Sequence, residues 1–165
     1  MEKKPKIIVF DLDYTLWPFW VDSFVEPPFK KGARNKVIDA RGRDVDHYSD
    51  VPDVLKQLSG KGYELGIASR TAEIKGAKQL IDAFGWKKYF KYVEIFPGSK
   101  VTHFSNIRKS SHTDYKDMIF FDDEARNIME VGKLGVHAVL VEDGVYDAQK
   151  FTNSVEFICT LYVAM

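Results

Sequence analysis

Ile7-Ile8-Val9-Phe10-Asp11-Leu12-Asp13-Tyr14-Thr15-Leu16 decides how this chain folds. Four consecutive apolar residues, all branched or aromatic, predict a strand buried on both faces, as in a parallel sheet. Two carboxylates, one residue apart, follow at once. Neighbouring strand residues face opposite ways, so Asp11 and Asp13 can serve one site only if the chain curls as the strand ends. Such a pair, with the Thr15 hydroxyl close behind, suits a hard cation, and one acid could attack phosphorus while the other moves a proton. Two plainer readings compete. A calcium loop also opens Asp-x-Asp, but its sixth position needs glycine and here holds Leu16. A strand-to-turn junction could use Asp and Thr merely to satisfy backbone donors.

Further along, short apolar runs at 63–68, 92–96, 118–121 and 138–141 alternate with segments of helical period at 51–58, 72–84 and 124–134. That alternation predicts an α/β fold, with helices covering a parallel sheet. Thr71 is the expected N-cap of the second helix. From Asp147 onward, Phe151, Val155, Ile158 and Leu161 make one stripe of a further helix.

Ligands of open α/β sheets gather beyond the carboxyl ends of the strands. Successive strand ends here carry Asp11 and Asp13, then Ser69, Arg70 and Thr71, then Lys100, then Asp122 and Asp123. Singly, each has a plain role: Ser69, Thr71, Asp122 and Asp123 could cap helices, and Lys100 could be solvated. Plain roles do not account for the order of acid pair, hydroxyl, lysine and acid pair along one rim.

Composition narrows the field. A chain of 165 residues suits one domain, expected here to span 1–165. Its 24 basic and 24 acidic residues cancel, so no net field favours nucleic acid or an anionic membrane. Cys159 is the sole cysteine, which excludes an internal disulfide. Met1-Glu2-Lys3-Lys4-Pro5-Lys6 leads into only four apolar residues, too few for a signal peptide or membrane span, so a cytoplasmic location is expected. The four histidines lack zinc-ligand spacing and read as surface or packing residues.

Asp11-Leu12-Asp13-Tyr14-Thr15, Ser69, Lys100 and Asp122-Asp123 resemble the four motifs of the haloacid dehalogenase (HAD) superfamily. Ala68-Ser69-Arg70-Thr71, Pro97-Gly98-Ser99-Lys100-Val101-Thr102-His103-Phe104 and Phe121-Asp122-Asp123-Glu124 are similar to its eukaryotic magnesium-dependent phosphatases, also described as protein-tyrosine phosphatases. The resemblance implies a three-layer Rossmann-like core with sheet order 5-4-1-2-3. It also implies Mg²⁺-dependent hydrolysis of phosphomonoesters, phosphotyrosine in proteins or sugar phosphates, through an aspartyl-phosphate. Asp11 is then the nucleophile and Asp13 the proton donor and acceptor. The resemblance implies Mg²⁺ on the Asp11 side chain, the Asp13 backbone carbonyl and Asp123, with Asp122 supporting, although Asp122 and Asp123 could exchange roles. Ser69 and backbone amides, that of Leu12 included, would hold the phosphoryl oxygens, Lys100 would balance charge, and Arg70 would grip the substrate. A phosphorylated substrate is the expected partner, without nucleic acid or membrane, and a monomer is the expected state.

Caps in this superfamily enter either after the first motif or between the second and third. The 70–99 interval is filled by one predicted helix and one strand, so no cap domain fits there. Residues 17–50 carry Trp17, Phe19, Trp20, Phe24 and Phe29, then an Arg41-Gly42-Arg43-Asp44 turn between Val37-Ile38 and Val45, and read as a small hairpin flap. Most of these aromatics are expected in the core, with one or two at the site mouth. Two alternatives stand beside the phosphatase: a non-catalytic phosphate- or metal-binding regulatory module, and a phosphotransferase on the same scaffold.

Overall fold

The computed structural model describes residues 4–142. The sheet is built on β1 (Ile7–Phe10), all four of whose residues are completely buried, as a run without polar alternation requires. β1 pairs in parallel with β5 (Glu64–Ser69) on one side and β7 (Met118–Asp122) on the other. β6 (Phe90–Ile95) extends the sheet beyond β5, and β8 (His137–Leu140) beyond β7, again in parallel. The resulting order, β6-β5-β1-β7-β8, is the expected 5-4-1-2-3 met from the opposite edge once the five core strands are counted alone.

The two faces of each strand take alternate residues, and each face has its own core. Ile8 and Phe10, with Leu65, Ile67, Ile119 and Phe121, pack under α1 (Val51–Gly60) and α2 (Ile74–Ala83). Ile7 and Val9, with Met118 and Phe120, pack under α3 (Lys100–Ser111) and α4 (Ala125–Gly132). Three layers follow from this simple period of two.

α2 ends as its sequence predicts: Gly85 takes φ +76° and the Trp86 N–H reaches back to the Ile81 carbonyl at 2.9 Å. Its start is a correction. Glu73, not Thr71, is the N-cap, accepting from the Gly76 N–H at 3.0 Å, while Thr71 Oγ1 accepts from the Glu73 N–H one step earlier. α3 was not predicted at all. Its inward stripe is Lys100, His103, Phe104 and Ile107, so two polar types occupy the positions where the helical period should show apolar residues.

The flap is a three-stranded antiparallel meander rather than a lone hairpin, β2 (Lys30–Lys31), β3 (Val37–Ile38) and β4 (Asp44–Val45). Between Ser69 and Lys100 lie only α2, one 3₁₀ turn and β6, so among the described residues no cap domain enters in that interval. Among the described residues no helix is long and apolar enough to cross a membrane. The helix expected from Asp147 onward lies outside the described residues.

Candidate active site

Past Phe10 the chain does curl. The Leu12 carbonyl accepts from the Thr15 and Leu16 amides at 3.0 and 2.9 Å, and Tyr14 adopts φ +56°, a left-handed conformation uncommon outside glycine. The Asp11 amide still bonds the Phe121 carbonyl at 3.0 Å, continuing the β1–β7 ladder by one residue and setting Asp11 beside Asp122 and Asp123.

Carboxylate oxygens of Asp11, Asp122 and Asp123 lie within 4.8 Å of one another. Among the described residues one cation meets two of them. Lys100, at the first turn of α3 and 1% exposed, donates to Asp11 Oδ1 at 2.9 Å and to Asp122 Oδ2 at 2.5 Å. Burial disfavours its charge, but Asp11 and Asp122 outweigh that and hold the ammonium above the usual lysine value. Thr15 Oγ1 stands 3.3 Å from Asp11 and 3.5 Å from Asp123.

Three acids with one lysine leave an excess of negative charge. Burial, then the hydrogen bond and charge of Asp11 and the charge of Asp122, push Asp123 up to about 8. Asp122 is also raised, by burial and Asp11, against the pull of Lys100. Carboxylate oxygens converging on one point, with charge still to be matched, fit a small divalent cation. Asp11 and Asp123 could hold it from the cleft, with Asp122 fully buried beneath.

The Asp13 carboxylate stands apart. Its Oδ1 accepts from the Trp17 indole at 2.7 Å and the Val21 amide at 3.1 Å, and it is not in the three-acid cluster. Burial is the main reason its pKa rises to about 6, with help from Asp11 and Asp22 and against those two hydrogen bonds.

The sequence-predicted residues Asp11, Asp13, Ser69, Arg70, Lys100 and Asp123 share one cleft of about 290 Å³. Leu12 and Asp122 are fully buried at its edge. Asp122 also does the work of a cap, its Oδ1 accepting from the Glu124 amide at 2.9 Å. Of the flap aromatics, Trp17, Phe19 and Phe29 are buried, while Trp20 is 55% exposed, lines the cleft and packs edge-on against Tyr14.

Two residues were missed. Asn127 donates to Asp122 Oδ2 at 3.0 Å and accepts from Arg70 at 3.3 Å, which ties Arg70 to the acid pair. Its signal is a polar residue on the inward face of the helix after Asp122. His103, expected at the surface or in ordinary packing, is fully buried and stacked on Phe96. Its Nε2 lies 2.8 Å from the Ser69 and Phe96 carbonyls and Nδ1 3.1 Å from that of Ser99. Carbonyls only accept, so a ring N–H is the donor, and the imidazole stands between the end of β5 and the turn before Lys100.

The Acid Phosphatase family model matches residues 3–159. The chain is 51% identical over 145 residues to Magnesium-dependent phosphatase 1 of Homo sapiens, covering 88% of this chain and 82% of that one. It is 45% identical over 143 residues to a HAD-like hydrolase superfamily protein of Schizosaccharomyces pombe, with 80% and 83% covered. A crystal structure of a HAD-superfamily hydrolase from Ehrlichia chaffeensis superposes with TM-score 0.70 over 94% of this chain and 98% of that one; at 10% identity the likeness is one of fold. Strand order, rim chemistry and these matches agree, and the chain belongs to the Acid Phosphatase family of the HAD superfamily.

Proposed function

We propose that this protein is a magnesium-dependent phosphatase that hydrolyses phosphomonoesters through an aspartyl-phosphate on Asp11. One observation carries the reading: two aspartates of one loop have different surroundings, Asp11 against Lys100 and the acid pair, Asp13 against an indole and an amide. Such a division suits a nucleophile and a proton carrier.

Asp11, the Asp13 backbone carbonyl and Asp123 would hold Mg²⁺, with Asp122 steadying them. A bound Mg²⁺ supplies charge neutralisation for the phosphoryl group and its carboxylate attacker. The Asp11 carboxylate attacks phosphorus in line as the bond to the leaving oxygen breaks, and Asp13 gives that oxygen its proton. Asp13 then takes a proton from water, whose oxygen attacks the aspartyl-phosphate, releasing phosphate and restoring Asp11. Ser69, the Leu12 amide and Lys100 hold the phosphoryl oxygens, and Arg70 grips the rest of the substrate.

An uncapped rim admits large substrates, which supports phosphotyrosine in a protein or a sugar phosphate. The reading takes the protein as a monomer, with 1–165 as one catalytic domain and the flap at 17–50. The test is phosphate release from p-nitrophenyl phosphate with Mg²⁺, with EDTA, and in Asp11→Asn and Asp13→Asn. Magnesium-dependent release that Asp11→Asn abolishes is expected; release surviving in Asp11→Asn would defeat the assignment. Added acceptor alcohols that leave phosphate yield unchanged would separate hydrolysis from phosphotransfer.

A further inference from the structure

Asp13 Oδ1 accepts two hydrogen bonds, from the Trp17 indole at 2.7 Å and from the Val21 amide at 3.1 Å. A carboxyl oxygen has two lone pairs, and here both are taken by N–H groups. Among the described residues Asp13 Oδ2 has no partner, and Asp13 lines the cleft beside Asp11. Trp17 itself has little freedom. It is fully buried, stacked on Phe19 at 5.6 Å and on Trp86 at 6.4 Å, with interplanar angles of 5° and 12°. Packing therefore aims its N–H. Need for a partner does not explain the bond, because the neighbouring Trp86, 1% exposed, leaves its own Nε1 without one among the described residues.

We propose that Trp17 is the positioning residue of the acid: by occupying Asp13 Oδ1 with Val21, it leaves the transferable proton on Oδ2, the oxygen free to meet the leaving group. This rests on the assignment of Asp13 as proton donor. In the step concerned, the phosphorus–oxygen bond breaks, the electron pair stays on the leaving oxygen, and the Oδ2 proton joins it. Without the indole, Oδ1 becomes available to the proton and the carboxyl can turn, so the fraction of productive geometry falls.

The effect must scale with how much protonation the leaving group needs. An alkoxide needs the proton as it departs, whereas p-nitrophenolate departs without one. The experiment measures kcat/KM, which covers steps only through leaving-group departure, on p-nitrophenyl phosphate and on glycerol 2-phosphate, for wild type, Trp17→Phe and Asp13→Asn. Trp17→Phe keeps an aromatic ring in the stack and removes the N–H. A hydrogen bond that becomes charge-assisted as the proton leaves Oδ2 predicts a loss on glycerol 2-phosphate roughly ten- to a hundredfold greater than on p-nitrophenyl phosphate. Equal losses on both substrates, as a purely structural residue would give, or no loss on glycerol 2-phosphate, overturn the proposal. If Trp17→Phe does not fold, β-(3-benzothienyl)alanine at position 17 keeps the bicyclic shape, replaces N–H by sulfur, and must give the same split. Asp13→Asn separates the two levels. Should it spare glycerol 2-phosphate, the acid assignment fails; should it lose that substrate selectively while Trp17→Phe does not, the role of Trp17 alone fails.

Discussion

Lys100 and Asp11 meet across the rim at 2.9 Å although α3 and β1 stand 89 residues apart in sequence at that contact. The ammonium is 1% exposed, and it is held there by a helix start that Ser99 caps, its Oγ accepting from the Val101 amide at 3.2 Å. A buried lysine between two acids behaves as a fixed counter-charge.

Lys100→Met should therefore cost stability as well as rate. Two buried carboxylates lose their cation, which typically costs about 3–5 kcal/mol. Loss of one positioned charge at a phosphoryl site should lower kcat by roughly two to three orders of magnitude. Urea unfolding in EDTA and phosphate release check the two effects. Lys100→Arg should not rescue activity, because a closed slot does not admit the larger guanidinium.

Asp123→Asn should act in opposite directions with and without metal. Asp123 is pushed up to about 8 by burial and by Asp11, so the metal-free cluster gains by losing its charge. Thermal melting in EDTA should show the variant at least as stable as wild type. Added Mg²⁺ stabilises wild type by mass action, about 2.7 kcal/mol at a hundred times Kd, and should stabilise the variant much less. An equal Mg²⁺ shift in both proteins would remove Asp123 from the metal site.

Asp39 gives the flap a measurable acid sensitivity. Its carboxylate accepts from the Glu26, Arg41 and Arg43 amides and from the Arg43 guanidinium, Nη2 to Oδ2 2.7 Å. The Arg43 bond, with the backbone donors, holds its pKa down to about 2. The unfolded chain then binds more protons than the folded one between about pH 4 and pH 2. Stability from this group is present above that window and is lost as pH falls through it. The gap in urea midpoint between wild type and Asp39→Asn should narrow from pH 5 to pH 2; a constant gap would contradict the assignment.

Trp20 bears on substrate choice. Half exposed at the cleft and edge-on to Tyr14 at 5.2 Å, it offers an apolar face to a leaving group. Trp20→Ala should lower kcat/KM for aryl phosphates by about fivefold relative to alkyl phosphates, the worth of one aromatic contact. An unchanged ratio would leave the flap without a part in recognition.

The parts of this molecule legible in sequence are those that follow from short-range rules. β1 is an unbroken apolar run, Gly85 stops α2, and a site that gathers at strand ends reveals itself through the residues that follow each strand. The illegible parts depend on where packing turns a side chain. α3 hid because Lys100 and His103 fill core positions, where a hydrophobic pattern counts them as surface. Asn127 looks like any polar residue near a helix start until its bonds to Asp122 and Arg70 are seen. β2, β3 and β4 are two residues each, too short for alternation to show. Asp11 and Asp13 read as a matched pair, yet the curl after Phe10 sends one carboxylate to a lysine and the other to an indole.

The chain's three tryptophans divide unequally between interior and solvent. Trp17 and Trp86 are stacked out of reach of solvent, and Trp20 stands half open at the cleft. Emission at long wavelength, and quenching by acrylamide or iodide, should therefore arise from Trp20 alone. Binding of a phosphorylated ligand becomes visible in the native protein as protection of that one fluorophore, while the buried pair serves as an internal reference that dims or shifts only if the fold itself gives way.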